Sequence, residues 1–152
     1  MRCALGRSGI GLAKRDGDGT TPAGAFPLRR VMYRPDRLQA PETGLPVRAI
    51  DPFDGWCDDP GDTRYNQLVR LPCDGGHERL WRDDGLYDLL AVIGYNDEPI
   101  EAGLGSAIFL HVARPDYGAT EGCVALALPD LQAVLRDSRP GDRIVIGAGS
   151  AR

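Results

Sequence analysis

Glycine and proline fill 32 of the 152 positions, 20 and 12 respectively, and they recur along the whole chain. Glycine breaks regular structure through its conformational freedom, and proline through its fixed φ and missing N–H. A chain interrupted this often folds into short elements joined by many turns, which favours a loop-rich β or α+β domain. At 152 residues it is long enough to bury roughly two-thirds of the surface its unfolded form exposes, so a single domain over 1–152 is expected. Hydrophobic residues at 42% and charged residues at 26% fit neither the disordered nor the membrane class.

The formal net charge is −4 and no basic stripe runs along any stretch, which argues against nucleic-acid binding. Lys14 is the only lysine; the other 17 of the 18 basic residues are arginine, a skew that reads as codon bias. An arginine near a pocket would nonetheless suit a carboxylate substrate. No apolar run reaches ~18 residues, and the start MRCALGRSG lacks a hydrophobic signal core. The four cysteines at 3, 57, 73 and 123 form no CxxC and are accompanied by only two histidines, so no zinc site is expected. The spacing of Cys57 and Cys73 is compatible with a disulfide and equally with free thiols.

Residues 2–5 read as a short strand, 6–25 as a glycine-rich loop, and Phe26 to Tyr33 as a strand. The stretch 34–64 is dominated by Pro, Asp and Gly and reads as a long excursion with little regular structure, of the kind that serves a site or is ordered by one. Tyr65 to Leu71 suits a strand, Gly75-Gly76 a turn that leaves His77 exposed, and Leu86 to Tyr95 a buried strand. Ala107 to Val112 is a further apolar run, holding His111 near its end. Pro129 to Arg136 has helical spacing, with proline allowed in the first turn, and Ile144 to Ile146 closes as a strand. Strands outnumber helices by about five to one on this reading.

Cys123 is placed unlike the other cysteines. It follows Thr120-Glu121-Gly122 and precedes the apolar run Val124 to Leu128, at a loop-to-strand junction. Gly122 permits a sharp bend that leaves amide N–H groups to face a ligand oxygen, as an oxyanion hole requires. Two neighbouring strands joined by the segment between His111 and Cys123 would bring both side chains to one end of a sheet. There an imidazole raises the thiolate fraction of a thiol whose ordinary pKa is near 8.5, making Cys123 a nucleophile and His111 its base. Spacing alone leaves the bland alternative standing, an inert cysteine packed in an apolar strand beside a structural histidine.

His111, a short loop and Thr120-x-Gly122-Cys123 resemble the signature of L,D-transpeptidases of the YkuD type. The segment LGRSGIGLAKRDGDGTTPAGAFPL, residues 5–28, resembles that family's opening, in which a lysine precedes GDG-x-TP-x-G-x-F. The central stretches WCDDP, Tyr65-Asn66 and GHERLWRDDGLYDLL resemble its proteobacterial branch. The resemblance implies a mainly β, sandwich-like YkuD domain with long loops and one short helix after the cysteine, working without metal or organic cofactor. It implies thiolate attack on a peptidoglycan stem peptide, loss of a D-amino acid, and transfer of the thioester acyl group to the amine of an acceptor stem peptide. Cross-links between stem peptides or attachment of a lipoprotein would result, and carbapenem β-lactams would acylate the cysteine.

On this resemblance Cys123 is the nucleophile, His111 the base, and the N–H groups of Gly122 and Cys123 the oxyanion hole. A backbone carbonyl can orient the imidazole; Asp116 could do so instead, although in RPDYG it reads as a turn residue. Thr120 and Arg114 are expected at the substrate, Arg114 either holding a stem-peptide carboxylate or lying solvated in its loop. Tyr65, His77, Trp81 and Tyr95 are expected as a wall around the donor peptide, against the alternative that the aromatics pack the core. Lys14 and the Gly17 to Gly24 loop read as structural. The chain departs from the family at Glu121, where histidine or a small polar residue is common, at Ala125, where arginine is common, and in its short His111 to Cys123 loop. Relatives commonly carry a strand before Arg2, which would make this chain start late. The family implies a periplasmic or cell-envelope location. Rival functions are an L,D-carboxypeptidase or endopeptidase using the same pair, and a non-catalytic wall-binding module.

Overall fold

The computed structural model describes residues 1–147. Among them a seven-stranded sheet dominates, in the order β1-β11-β10-β9-β4-β12 with β5 alongside β4. Its members are β1 (Cys3–Ala4), β4 (Gly24–Tyr33), β5 (Val47–Ala49), β9 (Leu89–Ile93), β10 (Phe109–Val112), β11 (Val124–Leu126) and β12 (Arg143–Ile146). A parallel pair, β2 (Ile10–Gly11) and β3 (Thr21–Pro22), crosses the opening loop. A small antiparallel sheet is built from β6 (Asp54–Cys57), β7 (Leu68–Arg70) and β8 (His77–Arg79). The fold is mainly β, with one helix, α1 (Leu128–Asp137), among the described residues.

The central strands are apolar on both faces because both faces are covered. In β9 all five residues are buried: Leu89, Ala91 and Ile93 join the core beneath α1, while Leu90 and Val92 join a second core with Trp56, Leu80 and Tyr87. Helix α1 caps the first core with Leu131 and Leu135, both fully buried, four residues apart on one face. Burying each contributes roughly 1.5–3 kcal/mol. The same alternation in β10 sends Leu110 to the helix side and Phe109 to the other, and strand periodicity puts His111 on the face of Phe109.

Two expectations need correction. Residues 34–64 are not bare excursion, since they hold β5 and β6; β6 is four consecutive buried residues, Asp-Gly-Trp-Cys, ordered by β7 and β8 on either side. His77 does not sit in an exposed turn. It opens β8, paired with Cys57, and is half-buried.

Candidate active site

Strands β10 and β11 run parallel and adjacent, with His111 opposite Ala125 and Leu110 opposite Val124. The turn entering β11 therefore brings Cys123 to the same region of the sheet as His111. Both line one cleft of about 470 Å³, together with Lys14, Glu78, Arg82 and Tyr87. The His111 ring lies edge-on to Tyr87, with centroids 5.3 Å apart.

The imidazole is oriented by backbone. His111 Nδ1 lies 2.8 Å from the Val112 carbonyl oxygen, which requires the proton on Nδ1 and leaves the Nε2 lone pair as the basic position. Burial pushes the His111 pKa down to about 4, against the upward pull of the Val112 carbonyl and with help from Arg82 and Arg114. At neutral pH the ring is uncharged.

The sulfur is likewise uncharged at rest. Burial pushes Cys123 up to about 12, with Glu78 adding to the rise and the Phe109 N–H, Lys14 and Arg82 opposing it. Its Sγ accepts from the Phe109 N–H at 3.3 Å and donates to the Ala107 carbonyl at 3.2 Å. The expected help from an imidazole thus meets an opposing effect at this sulfur: its proton is held by backbone, and desolvation opposes its loss.

The turn preceding Cys123 is fastened from within. Thr120 Oγ1 donates to the Cys123 carbonyl at 2.7 Å and accepts the Gly122 N–H at 3.1 Å. Gly122 thus enters the structure with its amide already partnered, leaving Cys123 N–H as the other member of the expected oxyanion pair. Gly122 has φ 137°, and a Cβ there would lie 2.8 Å from the Thr20 carbonyl and 3.2 Å from Lys14 Nζ, so no larger residue fits without a shift. Glu121 turns outward to Arg7 at 3.0 Å.

Of the expected substrate contacts, Thr120, Arg114 and His77 line the cleft. His77 Nδ1 lies 3.2 Å from the Gly75 carbonyl and 3.6 Å from Cys73 Sγ, and Cys57 and Cys73 are both free thiols. Tyr65, Tyr95 and Trp81 are not among the lining residues, and their hydrogen bonds and packing give the reason. Tyr65 is buried, with its hydroxyl accepting the Gly105 N–H at 3.0 Å. The Tyr95 hydroxyl donates to the Leu104 carbonyl at 2.6 Å. Trp81 stacks under the Arg34 guanidinium, 3.6 Å from the ring centroid. The three aromatics of the expected wall are instead scaffold, and His77 alone of the four lines the cleft.

The cleft contains groups that sequence reading passed over or assigned to structure. Lys14, 4% exposed, reaches Asp18 at 3.1 Å and stands close behind Gly122; its being the sole lysine was the available signal. Glu78 accepts from the Tyr87 hydroxyl and lies 3.7 Å from Arg82, and burial raises its pKa. Among the described residues no group of three or more His, Cys, Asp or Glu could hold a metal ion, and no helix is long and apolar enough to cross a membrane.

A family model described as the L,D-transpeptidase catalytic domain (YkuD) matches residues 1–146, nearly the whole chain. No curated protein and no solved structure gives a significant match.

Proposed function

The chain belongs to the L,D-transpeptidase catalytic-domain family, and from that premise we propose that it forms cross-links between peptidoglycan stem peptides through a thioester on Cys123. The observation that carries the reading is the shared cleft: a neutral imidazole with Nε2 unprotonated on one strand, and a thiol in the turn that enters the parallel strand beside it.

A donor stem peptide enters the cleft with its scissile carbonyl over Sγ. The thiol proton passes to His111 Nε2 as the S–C bond forms, since neither group is charged at rest and a separated ion pair would be costly in this desolvated site. The Cys123 N–H faces the developing oxyanion. Collapse of the tetrahedral intermediate breaks the C–N bond, and Nε2 returns the proton to the departing D-amino acid. The acceptor amine then attacks the thioester, giving its proton to Nε2. The S–C bond breaks, Nε2 passes that proton to the departing sulfur, an amide forms, and the thiol and neutral imidazole are restored. Arg114 and Arg82 at the rim supply positive charge for a stem-peptide carboxylate. The substrate places this chemistry in the cell envelope.

Intact-mass spectrometry after mixing with purified tetrapeptide muropeptides is expected to show the thioester adduct on the wild type and none on Cys123→Ala. Full adduct on Cys123→Ala would refute the assignment. Cross-linked dimer among the products supports transpeptidation, and hydrolysed monomer alone would make the enzyme a carboxypeptidase.

A further inference from the structure

The thiol of Cys123 is held by a carbonyl whose own residue is in an unfavourable conformation. Ala107 has φ 54°, in the left-handed region that costs a residue with a Cβ on the order of 1–2 kcal/mol. It has no glycine or asparagine chemistry to favour that region, so its surroundings must impose it. The adjacent peptides are fixed one by one. The Leu104 carbonyl accepts from Tyr95 Oη at 2.6 Å, and Tyr65 Oη accepts the Gly105 N–H at 3.0 Å. The Gly105 carbonyl accepts from Asn96 Nδ2 at 2.9 Å.

The last clamp is Asn66. Its Oδ1 accepts the Ala107 N–H at 3.1 Å and the Trp56 Nε1–H at 2.9 Å, and its Nδ2 donates to the Tyr95 and Asn96 carbonyls at 3.1 and 2.8 Å. Each hydrogen-bonding position of this buried amide that geometry allows in one plane is filled, by groups from three separate segments. Asn66 itself has φ 57°, which asparagine tolerates. It is absent from the lining of the cleft and lies behind Ala107.

We propose that Asn66 is a positioning residue for the nucleophile: by pinning Ala107 in its left-handed conformation it aims the carbonyl that receives the Cys123 thiol proton and, with the Phe109 N–H, sets the direction of the sulfur. The proposal rests on the assignment of Cys123 as nucleophile. Without the Asn66 amide, Ala107 relaxes toward negative φ, its carbonyl turns away, and the thiol loses both its proton acceptor and its fixed rotamer. A freer thiol meets a small reagent more readily and a large oriented substrate less readily, so two rates move in opposite directions. Generalised loosening of the fold would expose buried Cys57 as well, and that separates it from a local change at Cys123.

The test uses Asn66→Gly, which keeps the positive φ while removing the amide. The protein is alkylated with iodoacetamide at pH 8 and each cysteine followed by peptide mass spectrometry. Exposed Cys3 serves as the reactivity reference and buried Cys57 as the reporter of the intact fold. With Cys57 protected, the Cys123 to Cys3 ratio is expected to rise about tenfold and acylation by tetrapeptide muropeptide to fall about tenfold, the order expected from one lost hydrogen bond. An unmoved ratio, or two rates moving in the same direction, overturns the proposal. If Cys57 labels as well, Asn66→Ser is judged by the same criteria, and loss of Cys57 protection in both variants makes Asn66 a residue of the fold alone and overturns it too. The alkylation arm needs no substrate. Acyl uptake by Cys123→Ala would therefore remove the nucleophile assignment and the positioning role with it, whereas an unmoved ratio removes the positioning assignment alone.

Discussion

His111 Nδ1 and the carbonyl oxygen of Val112, the next residue in the chain, lie 2.8 Å apart, so the tautomer of the base is set by the strand that carries it. No carboxylate is needed for that purpose. Asp116, the acid nearest in sequence, is occupied in its own turn, accepting the Gly118 N–H at 2.8 Å. Replacing His111 by Gln is expected to slow thioester formation by roughly 10²–10⁴-fold, the usual size of a lost general base. Asp116→Asn is expected to leave the rate within about twofold. Time-resolved intact mass on both variants checks this, and a large loss in Asp116→Asn would show that a carboxylate orients the ring after all.

The pH dependence follows from two shifted groups. His111 ionises at about 4 and Cys123 at about 12, so acylation is expected to rise through about pH 4 and stay level across the neutral range. A Cys–His pair ionised at rest would instead give a bell. Stability carries the same signature. Between the ordinary histidine pKa of 6.5 and the folded value of about 4, the unfolded chain binds the proton and the folded one does not. Stability is therefore full above 6.5 and lost as pH falls toward 4, by up to about 3 kcal/mol. Urea unfolding at several pH values, wild type minus His111→Gln, isolates that contribution.

The sequence made some of this arrangement readable and hid the rest for physical reasons. Cys123 and His111 could be placed together because His111 lies near the end of the apolar run AIFLHV and Cys123 immediately precedes the run VALAL, and such runs mark buried neighbouring strands. Helix α1 was readable from Leu131, Val134 and Leu135. Of the small sheet only β7 was readable, within Tyr65 to Leu71; β6 and β8 are four and three residues long and owe their order to partners distant in sequence. The protonated thiol was hidden because the sequence shows the imidazole's candidate position but not the burial of Cys123 among Phe109, Trp56 and Tyr87, which is tertiary. Tyr65 and Tyr95 were expected at the substrate because aromatics beside polar residues resemble a binding wall; only the hydrogen bonds to residues 104 and 105 reveal a scaffold.

Gly122 is tested by the smallest possible addition. Ala at this position places a Cβ 2.8 Å from the Thr20 carbonyl, with φ at 137°, so both the contact and the backbone conformation resist it. A loss of about 1–3 kcal/mol in stability is expected, together with a fall of tenfold or more in acylation as the turn carrying Cys123 shifts. Thermal unfolding and thioester formation measured together check the pair. A Gly122→Ala enzyme of ordinary stability and full rate would mean that the turn tolerates a side chain there and that Cys123 does not depend on its geometry.

Lys14 and Asp18 form an ion pair of 3.1 Å in which the lysine side chain is 3% exposed and the aspartate 29%. Against the upward pull of burial, the Arg15 and Thr20 N–H groups and Lys14 bring Asp18 down to about 2. Its stabilising contribution is thus present above the unfolded value of 3.8 and is lost as pH falls toward 2; with solvent screening at a partly exposed carboxylate it amounts to about 1–2 kcal/mol. Asp18→Asn leaves Lys14 buried without its counter-charge and is expected to cost about 2–4 kcal/mol at pH 7. Lys14→Met removes the charge instead. Because Lys14 is one of the groups holding the Cys123 pKa down, that variant is expected to slow alkylation of Cys123 relative to Cys3. An unchanged ratio in a folded Lys14→Met protein would show that this lysine supports the opening loop and has no electrical effect on the sulfur.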